Sequence, residues 1–145
     1  MSLDFGTTIP FIDLLGITLE RFEGGESTLH FAPRPEHCNS FGVAHGGSLM
    51  TFLDATMAIA ARSVNVDSGV ITIEMKTSFM RPAPVVKSGE HLVGKGRLLH
   101  RTRSMAFVEG LIYDPAGQLC ATATGTFKYV PRAQRPDGGE TLPTD

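Results

Sequence analysis

Asp54 is the only Asp, Glu, Lys or Arg in the stretch AHGGSLMTFLDATMAIAA, Ala44 to Ala61, which ends at Arg62. A carboxylate among apolar side chains loses hydration, and that raises its pKa and strengthens it as a base near neutral pH. The competing use of such a residue is structural, as an acceptor for backbone amides. The same stretch begins His45-Gly46-Gly47. At the start of a helix the first amides have no intrahelical acceptor, the dipole favours negative charge, and glycine lets a ligand atom come close to the backbone. That combination suits the oxygen of a carbonyl under attack. His45 adds an imidazole, a group suited to general-base work.

The spacing of these groups carries a prediction. Gly46 and Asp54 are eight residues apart, about 12 Å along a helix at a rise of ~1.5 Å per residue. A polarised carbonyl oxygen and the atom that attacks its carbon must each lie within roughly 3 Å of their protein partners. One helix cannot supply both to one small group, but two antiparallel helices can. With a single long helix in the chain, the expectation is a two-fold dimer in which each site is built from both copies.

The elements that hold these residues are legible in the periodicity. Ile9 to Leu15 reads as a short helix ended by Gly16, and Ile17 to Glu23 and Glu26 to Ala32 read as strands joined by a Gly24-Gly25 hairpin turn. Gly47 to Arg62 is apolar on nearly every side, the mark of a buried helix. Val70 to Met80, His91 to His100, Ser104 to Tyr113 and Leu119 to Tyr129 read as four further strands. Antiparallel neighbours with one long helix to cover predict an α+β fold, a sheet wrapped around that helix. The domain is expected over residues 1–130, with 131–145, rich in Pro, Gly and charge, as a flexible tail.

Composition narrows the function classes. With 145 residues, 41% hydrophobic content and a formal charge of −2, the chain fits one globular domain with no global attraction to nucleic acid or anionic membrane. Basic side chains do gather between Lys76 and Arg103, opposed there only by Glu90. Arg101 and Arg103, in the turn His100 to Ser104, are candidate contacts for phosphate, whose oxygens match the guanidinium fork. Cys38 and Cys120 have no disulfide-scaffold spacing, no N-terminal stretch reads as a signal peptide, and no apolar run is of spanning length, so a cytoplasmic protein is expected. No zinc spacing, nucleophile elbow or phosphate-binding loop occurs, and no metal or cofactor is expected.

Asn39, then His45-Gly46-Gly47, then Asp54 on the helix resembles the hot-dog-fold acyl-CoA thioesterases of the PaaI-like, phenylacetic-acid-degradation type. The resemblance runs from about Leu15 to Val130 and includes the strand end Ser78-Phe79-Met80-Arg81-Pro82-Ala83. It implies hydrolysis of an acyl-CoA to a carboxylic acid and coenzyme A, without a cofactor, in a homodimer that pairs into a tetramer. Asp54 would activate water or attack the thioester itself, the Gly46 amide of the other subunit would polarise the carbonyl, Asn39 would lie beside the thioester, and His45 would brace the loop. Some members place a water-holding serine near the end of the strand after the helix. The matching position here is Arg81, with Thr77 as a substitute of the same parity. Gly47 is expected along the substrate, with Met50, Met57 and Phe79 lining an apolar acyl slot. Two other functions fit the same residues: an acyl-thioester dehydratase or hydratase using His45 with Asp54, and a non-catalytic acyl-CoA-binding module.

Overall fold

Two glycines set the first hairpin. Gly24 and Gly25 have φ of 62° and 84°, the left-handed pair that a two-residue turn between twisted antiparallel strands demands. They join β1 (Thr18–Glu23) to β2 (Glu26–Phe31), preceded by the short helix α1 (Pro10–Leu15). A 3₁₀ turn over Pro35–His37, not foreseen from the sequence, leads to the long helix α2 (Gly46–Arg62). Then come β3 (Ser68–Phe79), β4 (Leu92–Arg101), β5 (Met105–Tyr113) and β6 (Leu119–Pro131). This computed structural model describes residues 2–132 and residue 142. The six strands form one sheet in the order β1-β2-β4-β5-β6-β3, each pair antiparallel.

The sheet curls around α2, and small residues make that possible. Gly94 and Gly96 on β4, Gly110 on β5 and Gly125 on β6 lie under the helix. A Cβ at Gly94 would stand 2.6 Å from Thr56 Oγ1, and one at Gly110 would stand 3.0 Å from Met57 Cγ. At Gly96 it would collide with Ser27 Oγ. Only glycine lets helix and sheet approach this closely. Two side-chain hydroxyls then fix the helix in place. Ser27 Oγ donates to the Thr56 carbonyl at 2.6 Å, and Tyr129 OH donates to the Ala61 carbonyl at 2.7 Å.

The helix is not buried on every side, as its composition suggested. Phe52, Leu53, Thr56, Met57 and Ala60 are fully enclosed. Gly47, Met50, Thr51, Asp54 and Ala58 recur at helical spacing and form one stripe that the sheet leaves at least partly open. Asp54 lies in the middle of that stripe. The sequence hides it because glycine, alanine and methionine are apolar whether covered or not.

β6 continues to Pro131, which pairs with Ser68, and Arg132 donates to the carbonyls of Val66 and Gly6. The rest of the expected tail, 133–141 and 143–145, lies outside the described residues. Among the described residues no helix is long and apolar enough to cross a membrane.

Candidate active site

The start of α2 is shaped by its cap. His45 is the N-cap, and its Nδ1 accepts the Gly47 amide at 2.8 Å. An accepting Nδ1 leaves the ring proton on Nε2 and ties the imidazole to its own helix. The Ser48 and Leu49 amides both return to the His45 carbonyl, at 2.9 and 3.2 Å. Among the described residues the Gly46 N–H alone of this first turn has no hydrogen-bond acceptor. His45 is thus a brace, and Gly47, expected beside the substrate, gives its amide to that brace.

Gly46 opens into a cavity of about 520 Å³, together with Asn39, Phe41, Phe79 and Arg81. A Cβ on Gly46 would come within 3.5 Å of the Phe79 ring. Asn39 Oδ1 accepts the amides of Phe41 (2.9 Å) and Val43 (3.4 Å), which shapes the loop and leaves the carboxamide NH2 without an acceptor among the described residues. The loop is held from both sides: the Ala44 amide reaches the Ala83 carbonyl at 2.9 Å, and the His45 amide reaches that of His37 at 2.8 Å. Phe41 at the lip is 86% exposed.

Asp54 opens into a different cleft, about 280 Å³, between α2, α1 and β3. Thr72 Oγ1 donates to Asp54 Oδ1 at 2.6 Å. Burial pushes the Asp54 carboxyl above the usual carboxylate range, and the Thr72 hydrogen bond pulls the other way without cancelling it. A carboxylate with one donor and one oxygen still uncommitted is fit to take a proton from water.

Thr72 is the functional residue that sequence reading missed. Counting alternate residues from Thr77 or Arg81 sends Thr72 to the far side of the sheet. A bulge between Thr72 and Glu74 absorbs one residue, so Thr72 pairs with Phe127 while Thr77 pairs with Ala123, and both point toward the helix. The two residues expected to hold water for Asp54 are placed elsewhere. Arg81 lines the Gly46 cavity, and the Thr77 hydroxyl is buried without a hydrogen bond and lines neither cavity.

Other expected contacts also move. Met57 is fully buried against the glycine floor, 3.0 Å from a Cβ at Gly110, and is core rather than slot. Met50, on the open stripe, is 37% exposed and lines neither cavity. Arg101 donates to the Val64 carbonyl at 3.1 Å and lies over the Tyr129 ring, 5.1 Å from its centroid. It serves the C-terminal end of α2, while Gly46 lies at the other end. Arg103 is exposed at the same hairpin tip. No cluster of three His, Cys, Asp or Glu among the described residues is placed to hold a metal ion.

A sequence profile of the thioesterase superfamily matches residues 41–121, a span holding Gly46, Asp54, Thr72 and Arg81. The chain belongs to the thioesterase superfamily. This superfamily member is 30% identical over 124 residues to "Putative esterase SSO2140" of Saccharolobus solfataricus, covering 86% of this chain and 83% of that one. Its fold matches the PaaI protein of the phenylacetic acid degradation operon of E. coli, with TM-score 0.77 and 18% identity over 85% of this chain and 86% of that one. It also matches smu.793 of Streptococcus mutans, solved bound to acetyl CoA, with TM-score 0.69 and 22% identity over 78% and 87% of the two chains. The α2-in-sheet architecture is therefore the hot-dog fold, and thioester hydrolysis is the activity that the superfamily and the esterase relative support.

Proposed function

We propose that the protein is an acyl-CoA thioesterase whose two sites are each shared between the subunits of a homodimer. The observation that carries this reading is the division of labour on α2. The Gly46 amide, with no acceptor, and the Asp54 carboxylate, with Thr72 on one oxygen, open into cavities that have no lining residue in common. A second copy supplies what each lacks. β3 is an edge strand, and it carries Thr72, which touches Asp54, and Phe79, which packs on Gly46. Antiparallel pairing of β3 with itself about Met75 and Lys76 sets Thr72 of one copy opposite Phe79 of the other. Asp54 then faces the partner's Gly46 across the new interface.

In that site the thioester oxygen accepts from the Gly46 N–H of one subunit. Asp54 of the other removes a proton from water, whose oxygen bonds to the carbonyl carbon; attack by the carboxylate itself, followed by hydrolysis, is the second route. The oxyanion charge is met by the amide and the helix dipole. Collapse expels the coenzyme A thiolate, which takes up a proton, and releases the carboxylic acid. No cofactor takes part, since coenzyme A is half of the substrate. The Asn39 NH2 and the Arg81 guanidinium line the Gly46 cavity and meet the thioester end of coenzyme A. The acetyl-CoA complex of the Streptococcus mutans protein supports a CoA thioester as ligand.

The test is free-thiol release from a panel of acyl-CoAs by the wild type and by Asp54→Asn. Turnover by the wild type and a loss of at least about 100-fold in the variant are expected, the usual scale for a general base. Near-wild-type turnover by Asp54→Asn overturns the role of Asp54. Absence of thiol release across the panel, with ligand still bound, overturns hydrolysis itself.

A further inference from the structure

α2 closes the inner face of the sheet, and the outer face carries a polar cluster of its own at one end. Gly94 and Gly96 face the helix, so Val93 and Lys95, alternating with them along β4, face outward. Register sets the neighbours beside them. Thr28 of β2 pairs with Lys95, His30 of β2 pairs with Val93, and Val93 pairs in turn with Tyr113 of β5. Where β4 begins and β5 ends, a cavity of about 500 Å³ is lined by Glu90, His91, Val93, Lys95, Tyr113 and Asp114. It is close in size to the Gly46 cavity and shares no lining residue with it.

The donors of this cavity are unspent, and much of its carboxylate is spent. Lys95 Nζ donates to Thr28 Oγ1 at 2.9 Å and has no carboxylate within 4 Å among the described residues. The His91 ring and the Tyr113 hydroxyl have no hydrogen-bond partner among the described residues. His91 stacks on His30, with ring centroids 3.8 Å apart and planes at 23°. His30 is held in turn by Glu20, to whose Oε2 its Nε2 donates at 3.0 Å. Burial and then the neighbouring His91 push His30 below the ordinary histidine range; Glu20 opposes them without cancelling, and Lys95 adds to the fall. Two imidazoles face to face beside an ammonium crowd positive charge, and a bound anion relieves that crowding. The opposing carboxylates are less free. Asp114 Oδ1 accepts the Ala116 and Gln118 amides, both at 2.9 Å. Glu90, exposed, is the one carboxylate of the wall with no side-chain partner among the described residues.

We infer that this outer-face cavity is a second ligand site, and that it takes a small organic anion. The carboxylate or phosphate head lies against Lys95 and His91, and a flat body lies against Tyr113 and Val93. Ammonium and imidazole N–H groups make charge-assisted bonds to either head, and an aromatic wall suits a planar body. A cavity of this size fits a small organic molecule. The site is apart from Gly46 and Asp54, and it does not rest on the thioesterase reading.

The test titrates the full chain with benzoate, phenyl phosphate, inorganic phosphate and benzylammonium, followed by calorimetry and by NMR of the histidine ring protons. Benzoate or phenyl phosphate is expected to saturate with a Kd of about 1 mM or tighter. Saturation should shift the ring signals of His30 and His91 and move the titration of His30 to higher pH, and the tighter of the two ligands names the head group. Lys95→Met, which keeps the stem over Thr28, should weaken binding about tenfold, while Lys95→Arg should retain it. Glu90→Gln should tighten it. That last change, at an exposed residue and nearly isosteric, keeps the test readable should Lys95→Met fold poorly. Inorganic phosphate bound as tightly as phenyl phosphate overturns the organic body. Benzylammonium bound as tightly as benzoate, or binding weakened by Glu90→Gln, overturns the anion. No saturation by either aromatic anion up to about 20 mM, or saturation that leaves both histidines unmoved, overturns the site.

Discussion

The two cavities along α2 differ in what they lack. The one at Gly46 has donors without a base: an amide with no acceptor, the Asn39 NH2 and the Arg81 guanidinium. The one at Asp54 has a carboxylate held by Thr72 and an apolar extension past Ala58 and Ile59. In the proposed reading each is half of a hydrolytic site, and roughly 12 Å of helix keeps the halves of one chain apart. The contrast is what the proposed homodimer would answer, by bringing the two halves together across the interface. The long edge strand β3 and the exposed Phe41, Ile73 and Phe79 beside it are consistent with that.

The sharpest way to break this comparison is to damage one half per subunit. Asp54→Asn should lower kcat by about 10²–10⁴-fold, as loss of a positioned base does. Gly46→Pro removes the amide proton and adds a ring whose Cβ would stand 3.5 Å from the Phe79 ring, an ordinary contact. Gly46 is the first helical residue, where proline is tolerated, and His45 already has the extended backbone (φ −62°, ψ 138°) that proline asks of its predecessor. A loss of about 10²–10³-fold in kcat is expected, the scale of one oxyanion donor. Mixing the two inactive variants after unfolding and refolding together should restore roughly a quarter of wild-type activity. Half of the dimers are then mixed, and one of the two sites in each is intact. No recovery, with mixed dimers shown to form, would place both groups in one chain.

Smaller effects sharpen the Asp54 half. In the proposed mechanism activity requires ionised Asp54, so the acidic limb of kcat/KM against pH should lie above the usual carboxylate range, where burial holds this group. Thr72→Val removes the hydrogen bond that favours the carboxylate, so the limb should move to higher pH, with about a tenfold loss at pH 7. An unmoved limb would show that another group titrates. The same shift has a consequence for stability. A raised folded pKa means folding favours protonated Asp54; that contribution is complete below the unfolded aspartate pKa and is lost as pH rises through the folded value. Asp54→Asn should accordingly melt above the wild type at pH 7 while being inactive, and a lower Tm would argue for a structural aspartate. At the Gly46 end, His45→Ala removes the cap and should cost about 0.5–2 kcal/mol of stability by denaturant unfolding, and His45→Asn should recover most of it.

Much of this was visible in the chain itself. The alternation of β1 and β2, the Gly24-Gly25 turn and the long apolar run of α2 came through because local periodicity and backbone preference act within a few residues. Asn39, Gly46 and Asp54 stood out because polar and glycine residues are costly or unusual in such surroundings. Thr72 did not stand out, since the bulge after it reverses the parity by which a strand is read. Met57 was misplaced as a slot residue because a methionine in the core and one on a ligand look alike in sequence. Arg101 reads in sequence as a phosphate contact, whereas in the fold it is anchored on Val64 and Tyr129, both distant in the chain.

By itself, then, the sequence determined the order of elements, the burial of most of α2, and the placement of a glycine and a carboxylate eight residues apart on one helix. Those follow from spacing, and spacing is local. Tertiary structure alone decided which stripe of α2 stays open, that Thr72 reaches Asp54, and that Arg62 lines one cleft with Asp54 and Ala58. Those depend on where the curled sheet and its glycine floor bring residues far apart in the chain, which no local pattern encodes.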